Sequence, residues 1–183
     1  MNTLTRRGFV VAGAATLAGC ANGAVTGSAA QIDANVDDAL QRMYSSIPGS
    51  REAAQDAAAL LVMPSVTKAG LFIGGSYGEG ALRIGNATVD YFSVASASLG
   101  WQIGGQQFSH VLFFMTPEAL RDFRTSDGWQ VGVDAEVVVE EEGGAIGLSS
   151  TTSNRPVIAV VFGNRGLIVG ASLAGAKYSR LVR

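Results

Sequence analysis

The sequence is poor in the residues that build covalent and catalytic centres. Its 183 residues include one cysteine, Cys20, and one histidine, His110. A single cysteine excludes an internal disulfide, a cysteine-rich zinc site and an iron–sulfur cluster. A single histidine leaves one possible base for a Ser/His/acid triad. We therefore expect no catalytic residue, no metal site, no cofactor and no enzymatic activity, and we interpret His110 as a hydrogen-bonded residue of a strand.

Charge and long apolar runs are also scarce. Charged residues make up 15% of the chain, and 13 Lys and Arg stand against 15 Asp and Glu, a net charge of −2. Nucleic-acid-binding domains are strongly basic, so this class is excluded. No apolar run reaches the roughly 20 residues of a membrane-spanning helix. The glycine-dense residues 74–80 (GGSYGEG) are not followed by Gly-Lys-Ser/Thr, which excludes a P-loop.

The N-terminus has the features of a secretory signal. Two basic residues, Arg6 and Arg7, precede a short apolar run at residues 8–19, and residues 17–20 (LAGC) resemble a bacterial lipobox. We predict a signal peptide at residues 1–19 and lipid attachment at Cys20, through which the protein is joined to membrane phospholipid. Arg6 and Arg7 followed by Phe9 also fit a twin-arginine signal. Both export routes, Sec and twin-arginine, stay open.

The lipobox implies a location and a domain organisation. A lipidated protein of this kind lies in the bacterial cell envelope and faces the periplasm, and Ala21 after the cysteine favours the outer membrane over the inner. Residues 20–31 are small and polar and predict a flexible tether. Residues 32–183 predict a single domain.

Periodicity predicts two N-terminal helices, one later helix and otherwise strands. Apolar residues from Ile32 to Ile47 recur at spacings of three and four, which predicts a helix over residues 33–46. A second helix is expected over residues 50–62, and a third begins at Pro117 and ends near Gly128. Residues 85–86 predict a turn and residues 163–166 (GNRG) a hairpin connection.

A short glycine pattern recurs along the β-rich part of the chain. Residues 70–74, 100–104, 128–132 and 166–170 all read Gly-large-x-Ile/Val-Gly. Glycines at positions i and i+4 of a strand share one face, which allows sharp bending. The expected fold is therefore α+β, with N-terminal helices packed on a strongly curved, mainly antiparallel, glycine-rich sheet or partial barrel.

Four segments give the chain a family resemblance. Residues 63–70 (MPSVTKAG), 73–80 (IGGSYGEG), 128–135 (GWQVGVDA) and 166–177 (GLIVGASLAGAK) resemble, in this order, the SYLF-domain family. The resemblance implies a non-enzymatic module that binds anionic lipid, phosphatidylinositol phosphates in eukaryotic members, and the yeast member links the family to actin. A bacterial envelope normally lacks phosphoinositides and actin, so we expect another anionic phospholipid as ligand.

Four cations beside the glycine-rich segments are the candidates for lipid head-group contact: Lys68, Arg83, Arg165 and Lys177. Basic groups near an anionic lipid surface contribute about 1 kcal/mol each. The alternative is a structural or interaction lipoprotein, in which the exposed glycine-rich strands bind a protein partner or a second copy of the chain.

Overall fold

Three helices and eight strands lie in the part of the chain that the structure describes. A computed structural model describes residues 27–70, 73–99, 104–131, 138–141, 155–166, 173 and 175–182. The helices are α1 (Ala29–Ser46), α2 (Ser50–Asp56) and α3 (Pro117–Thr125). The strands are β1 (Ala59–Gly70), β2 (Ile73–Ile84), β3 (Ala87–Leu99), β4 (Gly104–Phe114), β5 (Trp129–Gln130), β6 (Val138–Glu141), β7 (Val157–Gly166) and β8 (Lys177–Leu181).

All eight strands belong to one sheet, in the order β5-β8-β3-β2-β1-β4-β7-β6. Every neighbouring pair is antiparallel except β6 and β7, which are parallel. Strands β1, β2 and β3 follow one another through short connections, including the Gly85–Asn86 turn that the sequence predicts. The α+β class and the mainly antiparallel sheet are therefore confirmed.

The sheet curls so that strands far apart in its order come into contact. Phe114 on β4 and Trp129 on β5 lie with ring centroids 6.3 Å apart. Five inter-strand steps separate β4 from β5, which would be roughly 24 Å in a flat sheet. The predicted strong curvature is confirmed, and the face that carries Phe114 and Trp129 is the concave one.

Alternating residues of β1 supply two separate cores. Leu60 and Val62 lie on the convex face in the cluster that α1 covers, whereas Leu61 and Met63 belong to the cluster inside the curl. Phe123 of α3 is 1% exposed and inserts into the inner cluster. Successive residues of a strand point to opposite faces of the sheet. Both sets are apolar in this part of β1, because both faces of the strand are covered.

Helix α1 packs on the convex face through the apolar stripe that the sequence predicts. Ile32, Val36 and Met43 are buried against it. The helix begins at Ala29 because the Ser28 hydroxyl accepts a hydrogen bond from the Gln31 amide, 3.2 Å away. Residues 29–31, expected in the tether, are therefore its first turn. None of the helices in the described ranges is long and apolar enough to cross a membrane.

Strand β1 contains a bulge around Pro64, and the glycines of β2 accommodate it. The pairing of β1 shifts between Val62 and Ser65 against β2 and between Met63 and Val66 against β4. Proline cannot donate a ladder hydrogen bond and fits at such an irregularity. The Ser109 hydroxyl donates to the Pro64 carbonyl oxygen at 2.7 Å, so this buried acceptor is satisfied.

Two predicted elements are wrong. The second helix ends at Asp56, and residues 59–62 begin β1, since Leu60 and Leu61 have buried positions on opposite faces of the sheet. Helix propensity gives way here to tertiary packing. Residues 163–166 continue β7 and form no hairpin, because Gly163 adopts a φ of 67° at an irregularity in the pairing with β4.

The recurrent glycine pattern marks strand ends more than strand interiors. Gly70 pairs with Gly74 across the β1–β2 connection, so the first copy spans a hairpin. The second copy joins the end of β3 to the start of β4, and the last begins at the end of β7. Residues 71–72, 100–103 and 167–170 lie outside the described residues. Only the third copy, which contains Trp129 and Gln130, has a described strand between its glycines.

Candidate functional site

Arg83, one of the four sequence-based candidates, joins α1 to the sheet. Its side chain is 11% exposed, and its guanidinium lies 2.7 Å from the Asp37 carboxylate and 3.9 Å from Asp33. It also donates to the carbonyl oxygen of Asn86 at 2.9 Å. The guanidinium of Arg83 is therefore bound to groups of the protein itself. These contacts compete with binding of a lipid head group.

The other three candidates lie toward the opposite end of the sheet. Lys177 pairs with Ala95 and is exposed on the convex side of β8, and Lys68 pairs with Gln106 and is half-buried. Arg165 pairs with Gln107 on β7. The structure brings none of the three to Arg83, so the four do not form one site. Contact between lipid head groups and any of the four residues stays a prediction.

Three other arginines meet beside α3. Arg124 and Arg180 lie 3.0 and 3.4 Å from the same oxygen of Asp90, a carboxylate that is 15% exposed. Arg121, 64% exposed, lies 3.7 Å from Glu118 one helical turn earlier. A shallow cleft of about 390 Å³ lies here, and we call it the arginine pocket; it is lined by Pro117, Leu120, Arg121, Arg124, Thr125 and Arg180.

The arginine pocket is missed by a search for cations beside glycine-rich strands. Arg121 and Arg124 stand three residues apart on a predicted helix, a spacing that places them on one face and is visible in the sequence. Arg180 joins them only because β8 pairs with β3, so that Arg180 lies opposite Phe92 near Asp90. That pairing follows from the strand order and not from any local pattern.

His110 and Tyr178 form a buried polar pair inside the curl. The Nε2 atom of His110 lies 2.7 Å from the Tyr178 hydroxyl oxygen, and the two residues are 0% and 1% exposed. Burial lowers the pKa of His110 to about 3 and raises the pKa of Tyr178 above its ordinary value. The imidazole is therefore neutral at physiological pH and closed to solvent, as expected of a structural histidine.

No group of three or more metal-ligating side chains occurs in the part of the chain that the structure describes. The acidic residues 140–142 begin at the end of β6, where Glu140 and Glu141 pair with Val160 and Val161 of β7. Glu142 lies outside the described residues.

The described chain starts on the convex side of the sheet. The Gly27 amide donates to the Glu79 carboxylate of β2 at 3.2 Å, and the same carboxylate accepts from the Tyr77 hydroxyl at 2.9 Å. Cys20, the predicted lipid-attachment residue, lies outside the described residues, seven positions before Gly27. Seven extended residues span about 25 Å at most.

Comparison with known families matches the segment that contains the arginine pocket. The model of the family described as Ysc84, Las17-binding protein actin regulator, matches residues 95–181. This is a family of lipid-binding or actin-related binding domains without catalytic function. Over these residues the chain is similar to the Ysc84 (SYLF) family, which agrees with the resemblance that its motifs predict. A comparison with curated proteins gives no significant match.

Proposed function

We propose that the protein is a lipid-anchored lipoprotein of the bacterial cell envelope whose non-enzymatic SYLF domain binds anionic phospholipid. The family match over residues 95–181 carries this proposal, because the family is one of lipid-binding or actin-related domains. The lipobox at residues 17–20 adds the anchor. The domain would face the periplasm, and Ala21 favours the outer membrane.

The start of the described chain supports a domain held close to the bilayer. Gly27 is bound to Glu79 on the body of the fold. With acyl chains on Cys20, the surface around Glu79 would lie within about 25 Å of the membrane. At that separation a weak affinity for lipid acts at a high local concentration, so the domain needs only modest intrinsic binding.

Anchoring is tested by expressing the chain in a bacterium with its N-terminus intact. We expect the protein in the membrane fraction, with acylated Cys20 as the first residue by mass spectrometry. The matched variant Cys20→Ser should keep its signal or appear in the soluble fraction. An unmodified Cys20 in the wild-type protein would contradict the anchor and leave lipid binding by the domain open.

The competing function is an interaction or structural lipoprotein, and one surface favours it. Thr67, Ala69, Gly75, Tyr77 and Ala95 are exposed on neighbouring strands on the convex side of the sheet. These side chains are small except for Tyr77, so another chain could approach closely. Sedimentation equilibrium distinguishes the two functions, because self-association at micromolar concentration without lipid would favour a protein interface.

A further inference from the structure

We propose that the arginine pocket binds the phosphate group of an anionic ligand, with Arg121, Arg124 and Arg180 as the contacting residues. The proposal rests on the proposed lipid-binding function and deepens it by naming the site and the chemistry. The ligand class is a phosphate ester, as in a phospholipid head group, or free phosphate. Neither the four sequence-based candidates nor the family match assigns this pocket.

The local charges leave the pocket positive. Arg124 and Arg180 share one oxygen of Asp90, and one carboxylate neutralises only one of two guanidinium groups. The carboxylate of Glu118 lies 3.7 Å from Arg121, but both groups are more than half exposed, so solvent weakens this pair. Among the described residues that line the cleft, none is acidic. An incoming anion therefore meets uncompensated positive charge.

Asp90 also prepares the two guanidiniums for a ligand. It lies beneath them at 15% exposure, whereas Arg124 and Arg180 keep 40% and 48% of their side-chain surface. The guanidinium carbon of Arg180 lies 6.0 Å from the ring centre of Phe92, which further limits its movement. Side chains that are already ordered lose less entropy when they bind, and the planar guanidinium suits two phosphate oxygens at once.

The surroundings of the pocket fit a lipid more closely than a free ion. Pro117 and Leu120 line the cleft beside the arginines, and Val182, two residues after Arg180, is 98% exposed. Apolar groups next to cations match the boundary between head groups and acyl chains. Ser179, next to Arg180, lies level with Glu79 through Ser93 of β3, so the pocket is two strands from the point where Gly27 is bound, on the opposite face of the sheet.

The test uses the full chain in micelles of an uncharged detergent and observes the Nε–H signals of arginine by NMR. One arm adds inorganic phosphate, and the other adds phosphatidylglycerol, with phosphatidylcholine as the neutral comparison. The variants are Arg121→Gln and Arg180→Gln. Arg42→Gln is the matched control, because Arg42 is an exposed cation of α1, on the opposite face of the sheet, and is not one of the head-group candidates.

We expect phosphatidylglycerol to shift the signals of Arg121, Arg124 and Arg180, and each pocket variant to weaken the apparent affinity about fivefold. Arg42→Gln should leave the affinity unchanged. A shift with inorganic phosphate as well supports the site and shows that phosphate alone suffices. Among the described ion pairs, Arg121 takes part only in the pair with the exposed Glu118, so we expect Arg121→Gln to fold. This variant keeps the test valid if Arg180→Gln fails to fold.

Two results overturn the proposal, and they differ in what they leave standing. If phosphatidylglycerol shifts other signals of the protein but not those of the three arginines, or if Arg42→Gln weakens binding instead, the site is wrong and lipid binding stands. If no signal of the protein responds to phosphatidylglycerol relative to phosphatidylcholine, the proposed function fails together with the site.

Discussion

The imidazole of His110 and the hydroxyl of Tyr178 lie 2.7 Å apart on strands that are four steps apart in the sheet. In a flat sheet those steps would separate the strands by roughly 19 Å. The contact therefore exists only because the sheet curls, and the two polar atoms are paired inside an otherwise apolar core. The Nδ1 atom of His110 has no hydrogen-bond partner in the described ranges.

The first prediction concerns pH. The pKa of His110 is about 3 in the folded protein, below its ordinary value of 6.5, so folding favours the neutral ring. Above pH 6.5 the ring is neutral in both states and its contribution to stability is complete. As the pH falls from 6.5 toward 3, the unfolded chain takes up a proton that the folded chain does not. The free energy of unfolding should then fall by about 1.4 kcal/mol per pH unit from this group.

Urea unfolding of the wild type and of His110→Gln across this pH range isolates the effect. Carboxylates titrate in both proteins, so their contribution cancels in the difference. The stability of the wild type should decrease relative to the variant as the pH falls below 6.5. Parallel pH profiles for the two proteins would show that the folded state accepts a proton on His110.

A second prediction concerns the glycines that face the β1 bulge. A Cβ atom on Gly80 would collide with the carbonyl oxygen of Val62 and lie 2.7 Å from the Met63 sulfur. Gly80→Ala should therefore lower the free energy of unfolding by about 1–3 kcal/mol, as overpacking does. Chemical denaturation measures the change.

Gly105→Ala is the control for this substitution. The nearest heavy atom to a Cβ at Gly105 is the Lys68 carbonyl oxygen at 4.0 Å, so its stability should change by less than about 0.5 kcal/mol. Equal losses of unfolding free energy in the two variants would mean that the carbonyl oxygen of Val62 does not lie in close contact with Gly80.

The third prediction separates structural from lipid-contacting cations. Arg83→Gln removes the ion pair with Asp37 and should lower the free energy of unfolding by about 1–3 kcal/mol. Thermal unfolding of this variant is compared with that of Lys177→Gln, which should melt like the wild type. At a temperature where both are folded, Arg83→Gln should bind vesicles as the wild type does. A stable Arg83→Gln protein with reduced vesicle binding would instead support Arg83 as a head-group contact.

The sequence predicts those parts of the fold in which local pattern and tertiary environment agree. The stripe of Ile32, Val36 and Met43 has a helical period and is buried as a helix face. Thr116 and Pro117 begin α3 as a cap and a first-turn proline do, with the Thr116 hydroxyl accepting from the Ala119 amide. In both elements the side chains that define the pattern also make the contacts.

Prediction fails where the tertiary environment decides. The alanine-rich residues 50–62 favour a helix locally, yet Leu60–Met63 form a strand that pairs with β2 and β4 and is buried on both faces, by α1 and by the inner cluster. The arginine pocket is hidden for a similar reason: Arg124 and Arg180 are 56 residues apart and meet at Asp90 only through the β3–β8 pairing. No local sequence motif specifies the strand order or the β3–β8 pairing.

The most direct test of lipid binding is sedimentation with vesicles of a form of the chain that begins at Ala21. This form lacks Cys20 and keeps every described residue, so any binding belongs to the domain. We expect the bound fraction to rise with the phosphatidylglycerol content of phosphatidylcholine vesicles and to fall with added salt, because screening weakens contacts with anionic head groups. A folded domain that stays in the supernatant at every vesicle composition and salt concentration would contradict lipid binding and turn the search to protein partners.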